Sequence, residues 1–314
     1  MTFSSIVKNE ISKINMEDKC CQLAELSALI KMTGTIQIHG RNKFGIKLST
    51  ENASIARMLF TLIKDIFDIN TRVAVRRNKQ LKKNNNYTLY IDTLTGGEEV
   101  LIATGILTKT KDGIKINYKL PAKLIKKPCC KKAYLRGVFL GGGSISDPEK
   151  TYHLELVTNN NEYAESVKKL INSYALNSKV VHRKGNYVVY LKEGEQIVDY
   201  LNIIGAHKAL LSLENVRIYK EMRNNVNRIV NCETANLSKI VNASMRQINN
   251  IELIKTRIGF DKIPENLAEI AELRLKYPDA SLKELGEMMS PPIGKSGVNH
   301  RLRKLDEIAE DMQP

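Results

Sequence analysis

Polar and basic side chains recur at helical spacing in the segment KSGVNHRLRKL, residues 295–305. Its apolar residues Val298, Leu302 and Leu305 stand at positions i, i+4 and i+7, which predicts the buried stripe of one helix. The face opposite that stripe carries four hydrogen-bonding side chains: Ser296, Asn299, His300 and Arg303. Because arginine can pair bidentately with guanine and asparagine with adenine, this face is suited to reading base edges.

Three further basic residues lie next to or between these four: Lys295, Arg301 and Lys304. Side chains of this kind more often hold phosphates than bases, so we expect them to position the helix on a nucleic-acid backbone. The alternative is a bundle helix whose basic face is only solvated.

The residues that commonly bind metals show no ligand spacing along the chain. His300 has no cysteine, aspartate or second histidine nearby at ligand spacing. The five cysteines form the vicinal pairs Cys20-Cys21 and Cys129-Cys130 plus a single Cys232, without a CxxC motif. We therefore expect reduced structural thiols, no metal site and no cofactor.

The segment 295–305 would be the second helix of a helix-turn-helix. Ser281 and Glu284 have the spacing of a capping box, so a helix is predicted to begin at Ser281. The sequence SPPIG, residues 290–294, must end it, and the next helix begins around Ser296. We assign three residues to the inner face of the first helix: Leu282, Leu285 and Met288.

The segments upstream are also predicted to be helical. Residues 215–232 are polar and basic, which is typical of a solvated helical linker. Residues 237–254 have a broken helical period that favours two short helices. Pro264 suits a first helical position, from which a helix would run to Tyr277.

An internal repeat organises the first two thirds of the chain. Residues 20–36 align without gaps on residues 129–145, with six identical positions where about one is expected by chance. Each block reads as a helix ending at glycine, followed by alternating strand patterns, which predicts an αββαββα unit in both halves. The later helices are predicted at 52–67 and 98–107 in the first half and at 160–174 and 195–204 in the second.

The predicted fold is therefore of the α+β class, a duplicated αββαββα domain followed by an all-α helix-turn-helix domain. We place the duplicated domain at residues 1–214, with halves at about 15–122 and 123–214. The basic linker at 215–232 then leads to the helix-turn-helix domain at 233–314.

Positive charge is concentrated in the duplicated domain and the basic linker that follows it. The whole chain has a net charge of +15, and residues 1–229 hold 37 basic and 21 acidic side chains. We expect the basic strand pairs of this domain either to follow phosphates, to meet an acidic protein partner, or to be solvated hairpins. The candidate backbone contacts are Arg72, Arg76, Arg77, Lys79, Lys82, Lys83, Arg183 and Lys184.

Two segments resemble the LAGLIDADG signature of homing endonucleases, namely LSALIKMTG at 26–34 and LRGVFLGGG at 135–143. With the C-terminal KSGVNHRLRKL, the chain as a whole resembles the WhiA family of bacterial regulators. The resemblance implies two signature helices that pack side by side through small residues. These are Ser27, Ala28, Gly137 and Gly141.

In that endonuclease family a carboxylate near the end of each signature helix meets divalent metal ions. The matching positions here are Thr33 and Gly142, and the other acidic position is filled by Lys31 and Leu140. Mg²⁺ binds through carboxylate and phosphate oxygens, so neutral side chains cannot replace the missing ligands. The resemblance therefore predicts a nuclease scaffold without nuclease activity.

Together these patterns predict a protein that binds double-stranded DNA at specific sequences and has no enzymatic activity. The family resemblance implies a transcriptional regulator of sporulation, cell division or chromosome segregation, with a second regulator as a possible partner. The alternatives are a nucleoid-associated division protein that does not regulate transcription and, more remotely, an active homing endonuclease. The chain shows no signal-peptide core and no stretch of about 18 apolar residues, so we expect a cytoplasmic, nucleoid-associated protein without membrane contact.

Overall fold

The computed structural model describes residues 2–38, 43–77, 85–111 and 113–312. They form two compact units, Met1–Lys220 and Glu221–Pro314. The boundary between these units falls inside the segment that the sequence predicts as a basic linker.

The first half of the first unit follows the predicted order of elements. Its elements are α1 (Phe3–Ile11), α2 (Lys19–Thr33), β1 (Gly34–Ile38), β2 (Phe44–Thr50), α3 (Ala53–Phe67), β3 (Arg72–Arg77), β4 (Asn85–Ile91), α4 (Gly97–Ala103), β5 (Leu107–Thr110) and β6 (Gly113–Ile116).

The second half repeats the order from α2 to α4. Its elements are α5 (Pro128–Gly142), β7 (Gly143–Ile145), β8 (Leu154–Thr158), α6 (Asn161–Asn172), β9 (Lys179–Arg183), β10 (Asn186–Leu191) and α7 (Gly194–Ile204). The two four-stranded antiparallel sheets have equivalent orders, β1-β2-β4-β3 and β7-β8-β10-β9. The duplicated αββαββα fold predicted from the repeat is thus confirmed.

Three features depart from the prediction. First, helix α4 ends at Ala103, before the predicted end at Leu107. Second, Leu107 begins the hairpin β5-β6, which has no counterpart in the second half, and third, a helix lies before the repeat. Helix α1 precedes the repeat, and its Ser4 hydroxyl both donates to the carbonyl oxygen and accepts from the amide of Ile145, at 2.7 Å each. The Glu10 carboxylate of the same helix accepts hydrogen bonds from the Lys208 and Ala209 amides at 2.7 and 3.0 Å.

Helices α2 and α5 pack against each other in the centre of the first unit. A Cβ atom added at Gly137 would stand 2.5 Å from the Glu25 carbonyl oxygen and 2.8 Å from the Ala28 Cβ. Only glycine permits this approach, so the predicted packing through small residues is confirmed at this point.

The second unit is wholly helical. It contains the rest of α8 (His207–Arg257), followed by α9 (Glu265–Lys276), α10 (Leu282–Glu287) and α11 (Lys295–Glu310). Its core is built by apolar residues of all four helices and of the turn after α10: Ile251, Ile254, Leu267, Ile270, Ala271, Leu285, Met289, Val298, Leu302, Leu305 and Ala309.

The prediction of two short helices between residues 237 and 254 is wrong, because α8 is continuous through this segment. No glycine or proline occurs between Gly205 and Gly259, so nothing in the local sequence breaks the helix. The broken apolar period has another cause. Leu237 and Ile240 are exposed, whereas Ile251 and Ile254 are fully buried.

Candidate nucleic-acid interface

Helix α11 has the two faces that its sequence predicts. Val298, Leu302 and Leu305 are buried in the core of the second unit. The opposite face is exposed, and it carries Ser296, Asn299, His300 and Arg303. The four residues selected for base reading are thus brought together on one accessible surface.

The three residues assigned to phosphates differ in their surroundings. Lys295 and Lys304 are exposed. Arg301 is half-buried, and its Nη1 atom lies 3.4 Å from the Asn266 carbonyl oxygen and 3.6 Å from the Met289 sulfur. Arg301 therefore has partners within the protein, and a phosphate would compete with them.

Helix α11 is held against α8 by a polar cluster that the sequence analysis missed. The largely buried Asp306 accepts hydrogen bonds from Asn250 Nδ2 at 2.7 Å and from Arg246 Nη2 at 3.2 Å. Because two separate donors fix one carboxylate, the rotation of α11 about its axis is constrained. The only sequence signal for this cluster was an acid one helical turn after Leu302, on the buried side.

Helix α10 begins with the predicted capping box. The Glu284 amide donates to the Ser281 hydroxyl at 3.3 Å, and the Ser281 amide donates to the Glu284 carboxylate at 2.7 Å. The hydrogen bond from the Ser281 amide to the carboxylate, and after it one from the Ser281 side chain, lower the pKa of Glu284. The helix start is therefore fixed by its own sequence.

One predicted inward position of α10 is wrong. Leu285 is fully buried and Leu282 is half-buried, but Met288 is exposed and Met289 is buried instead. Helix α10 ends at Glu287, so the helical period used to place Met288 no longer applies there. The turn then folds back, with the Ile293 amide donating to the Gly286 carbonyl oxygen at 3.0 Å.

The first sheet presents part of its predicted basic surface. Side chains alternate between the two faces of a strand, so Arg72 and Arg76 share one face and Arg77 lies on the other. The strand register places Lys47 on the same face as Arg72, and the guanidinium carbon of Arg72 lies 5.0 Å from the centre of the Tyr90 ring. Arg77 is exposed on the opposite face, and its contact with a DNA backbone stays a prediction. Lys79, Lys82 and Lys83 lie outside the described residues.

The second sheet differs in charge on the equivalent face. The Glu155 carboxylate lies 2.6 Å from His153 Nε2 and 3.5 Å from Arg183 Nη1. Lys184 is exposed, with a positive φ of 50°, in the turn that joins β9 to β10. An acid thus offsets part of the positive charge in this half.

The ends of the signature helices carry no carboxylate at the four matching positions. The Thr33 hydroxyl donates to the Leu29 carbonyl oxygen at 2.8 Å, and Leu140 is buried. Lys31 donates to the Asn117 carbonyl oxygen at 2.8 Å and to that of Lys119. Burial lowers the pKa of Lys31 to about 8.

Gly142 also lacks room for an acid. A Cβ atom at this position would collide with the Met32 methyl group and would stand 2.7 Å from the Val157 carbonyl oxygen. A nearby acid, Asp147, is used by its own turn, where its carboxylate accepts from the Glu149 amide at 3.1 Å.

Among the described residues, no helix combines the length and the apolar content that a membrane crossing requires.

Family models match three consecutive parts of the chain. Residues 19–107 match the WhiA N-terminal LAGLIDADG-like domain, residues 131–223 the WhiA LAGLIDADG-like domain, and residues 226–309 the WhiA C-terminal HTH domain.

Similar proteins extend over the full length. A protein of Alkaliphilus metalliredigens named "Probable cell division protein WhiA" is 62% identical over 310 residues, covering 99% of this chain and 98% of its own. A protein of Clostridium novyi with the same name is 54% identical over 313 residues, covering 100% of this chain and 99% of its own.

A solved structure also matches over the full length. The crystal structure of full-length DUF199/WhiA from Thermatoga maritima is 25% identical, with a TM-score of 0.61 and 99% coverage of both chains. Three consecutive domain models and full-length relatives of high identity agree, so this chain belongs to the WhiA family.

Proposed function

We propose that this protein binds double-stranded DNA with sequence specificity and that α11 reads the bases. The observation that carries the proposal is the exposed face of Ser296, Asn299, His300 and Arg303, which lies opposite the buried stripe of the same helix. The match of residues 226–309 to an HTH domain supports this use of the helix.

The residues of this face have separable roles. Arg303 can donate two hydrogen bonds to guanine, and Asn299 can pair with adenine. Lys295 and Lys304 are exposed beside them and would contact phosphates, as would Arg301 once it leaves its partners in the protein. Each bidentate base contact contributes about 1 to 3 kcal/mol of discrimination.

The test separates base reading from backbone binding. Sites are first selected from random duplexes with the full-length protein and confirmed by footprinting. Arg303→Ala should then reduce the preference for the selected site over scrambled DNA by about ten-fold or more. Lys304→Ala should weaken both affinities similarly and lower the salt slope by about one.

A matched control is Lys262→Ala, which removes an exposed lysine between α8 and α9 and should change neither quantity. If Asn299→Ala, His300→Ala and Arg303→Ala all preserved the ratio of specific to non-specific affinity, α11 would not be the reading helix.

We further propose that the duplicated domain has no nuclease activity. Support comes from the residues at the ends of α2 and α5, where Thr33, Gly142 and Lys31 replace the carboxylates that hydrolysis requires. Plasmid incubated with Mg²⁺ and purified protein should remain supercoiled. Cutting that depends on Mg²⁺ and follows the protein through successive purification steps would contradict this.

The biological setting proposed is cell division, with transcriptional control that extends to chromosome segregation and, in spore-forming hosts, to sporulation. The name of the Alkaliphilus metalliredigens and Clostridium novyi relatives supports the first of these. The second candidate is a nucleoid-associated division protein without a transcriptional role. Genome-wide occupancy compared with expression after deletion distinguishes them, since a regulator changes transcription next to its sites.

A role in DNA binding also implies where the protein is located and what it binds. We expect a cytoplasmic protein that colocalises with the nucleoid, which a fluorescent fusion would show. The basic face of the first sheet would either follow the DNA backbone or meet an acidic protein or second regulator. If the slope of log DNA affinity against log salt concentration were the same for the wild-type protein and for the Arg72→Ala/Arg76→Ala variant, the protein partner would be favoured.

A further inference from the structure

Four of the five cysteines meet at one place in the first unit. The Sγ atoms of Cys20, Cys21, Cys129 and Cys130 all lie within 4.8 Å of one another, and those of Cys129 and Cys130 are 4.0 Å apart. The fifth cysteine, Cys232, is exposed on α8 in the second unit. The spacing along the chain gave no sign of this cluster, because its two pairs are separated by more than one hundred residues.

The duplication explains why the pairs meet. Each pair occupies the same two positions in the first turn of its signature helix, directly after Lys19 in α2 and after Pro128 in α5. Because these helices pack side by side, equivalent positions near their N-terminal ends face each other. The sequence signal was available in the repeat, in which both cysteines of each pair are among the six identities.

The geometry suits one tetrahedral ion. Zinc binds four thiolates at about 2.3 Å, which places the sulfur atoms about 3.8 Å from one another. The cluster needs only a small contraction from its present separations to reach that arrangement. A cluster of several irons would require the cysteine sulfurs to lie farther apart than around a single ion.

The surroundings suit the charge of such a centre. A zinc ion with four thiolates carries two net negative charges, and the positive ends of the α2 and α5 dipoles both lie at this place. Within the described part of the chain, the N-cap side chain of neither helix accepts a hydrogen bond from the amides of the first turn. Lys132 lines the same surface cavity as Cys21 and Cys129, together with the acids Glu17 and Asp18, and this cavity gives the ion a path to the cysteines.

We propose that Cys20, Cys21, Cys129 and Cys130 bind a single Zn²⁺ ion that joins the two halves of the duplicated domain. Binding releases the protons of those thiols that are not yet ionised and changes no oxidation state. The ion has all its positions filled by protein, so its role is structural. It links α2 to α5 at the end opposite Thr33 and Gly142.

The first experiment measures metal in the full-length protein, purified with a reductant and without chelators. Elemental analysis should find about one zinc per chain. Removal of zinc and titration with Co²⁺ should give the thiolate charge-transfer and d–d absorption of tetrahedral cobalt, saturating at about one equivalent. Strong chelation should lower the melting temperature by several degrees.

Variants identify the ligands. Cys20→Ser and Cys129→Ser should each weaken Co²⁺ binding at least ten-fold, and the double variant should lose the absorption. Cys232→Ser is the matched control and should bind as the wild type does. If the ligand variants fail to fold, the wild-type titration against Cys232→Ser still decides whether the cluster binds metal.

Three results would overturn the proposal. The first is the absence of tetrahedral cobalt absorption in wild-type protein whose five thiols all titrate as reduced. The second is an intact mass that shows disulfides within the cluster in protein purified without oxidant. The third is equal loss of metal in Cys232→Ser and in the cluster variants.

Discussion

The two halves of the duplicated domain share their order of helices and strands but differ in where they place charge. The first sheet has Arg72, Arg76 and Lys47 on one face, and among the described residues no carboxylate lies within ion-pair distance of them. On the equivalent face of the second sheet, Arg183 lies 3.5 Å from Glu155. Backbone architecture was thus retained while the surface chemistry of the halves diverged.

The packed helices show the same divergence in the core. Glu25 in α2 and Tyr134 in α5 are equivalent positions of the repeat, as are Ser27 and Arg136. Arg136 donates to Glu25 from Nε at 2.8 Å and from Nη2 at 2.6 Å. A buried ion pair therefore connects the two halves, so each half contributes a buried charge that the other half pairs.

The largest test of this difference breaks the buried pair. Arg136→Met leaves the fully buried Glu25 without its cation and should lower the free energy of unfolding by about 3 kcal/mol at about pH 9, where Glu25 is ionised in the wild type, and by less at neutral pH, where Glu25 can take up a proton instead. Arg217→Met, which removes a partly exposed pair with Glu214, should cost less than about 1 kcal/mol. Chemical unfolding of both variants measures the two losses of unfolding free energy. Equal losses would show that the buried pair contributes no more to stability than the partly exposed one.

The pH dependence of stability should reveal the same carboxyl group. Burial raises the pKa of Glu25 from 4.5 to about 7, although the charge and hydrogen bonds of Arg136 lower it. An acid with a raised folded-state pKa contributes stability that is complete below about pH 4.5 and is lost as the pH rises through about 7. This loss is on the order of 3 kcal/mol, and Glu25→Gln should not show it.

The measurement is chemical unfolding of wild type and Glu25→Gln from about pH 5 to about pH 8. The difference between the two free energies should shift in favour of the variant as the pH rises. Glu51→Gln, at an exposed position, should follow the wild type throughout. A difference that stays constant with pH would mean that Glu25 titrates as it does in the unfolded chain.

The close approach of the halves predicts a smaller effect. Gly137→Ala would place a Cβ atom 2.5 Å from the Glu25 carbonyl oxygen and should cost about 2 kcal/mol through overpacking. Helix propensity alone predicts the opposite sign, a gain of about 1 kcal/mol. Gly194→Ala at the start of α7, where the nearest atoms are 3.4 Å away, is the control. A rise in melting temperature for Gly137→Ala would disprove the close contact.

The smallest expected effect concerns the two sheet surfaces. Arg72→Ala/Arg76→Ala should lower the slope of log affinity against log salt by about two if the first sheet follows phosphates. Arg77→Ala on the opposite face, and Arg183→Ala beside Glu155, should change it by less. If the change in slope were the same for each positive charge removed, whichever arginine was replaced, general attraction by net charge and no defined surface would be indicated.

The sequence alone predicted the features that depend on residues close together along the chain. The repeat gave both αββαββα units, the capping box gave the start of α10, and apolar spacing gave the inner face of α11. Each of these depends on residues within a few turns of one another. The base-reading role of α11 stays a prediction, because its exposure is shown and its contacts with DNA are not.

Features that depend on distant residues were missed. The side of β3 on which Arg77 lies follows from strand register, and the support of α11 by Asp306 needs Arg246 and Asn250 of another helix. The cysteine cluster joins pairs from the two halves that come together where α2 packs against α5, and the repeat signalled it only through the equivalence of the two pairs.

One error was local. Met288 was misplaced because a helical period was extended past the end of α10.

The crowding around Gly142 determines how easily a substitution could place an acid at the end of α5. A single nucleotide change can turn a glycine codon into one for aspartate, yet the new side chain would meet the Met32 methyl group and the Val157 carbonyl oxygen. Lys31, one turn from Gly34, would meanwhile keep a cation in the neighbouring position. Introducing a metal-binding acid here would therefore require several coordinated substitutions, each unfavourable alone, so substitutions fixed one at a time would have to pass through less stable intermediates.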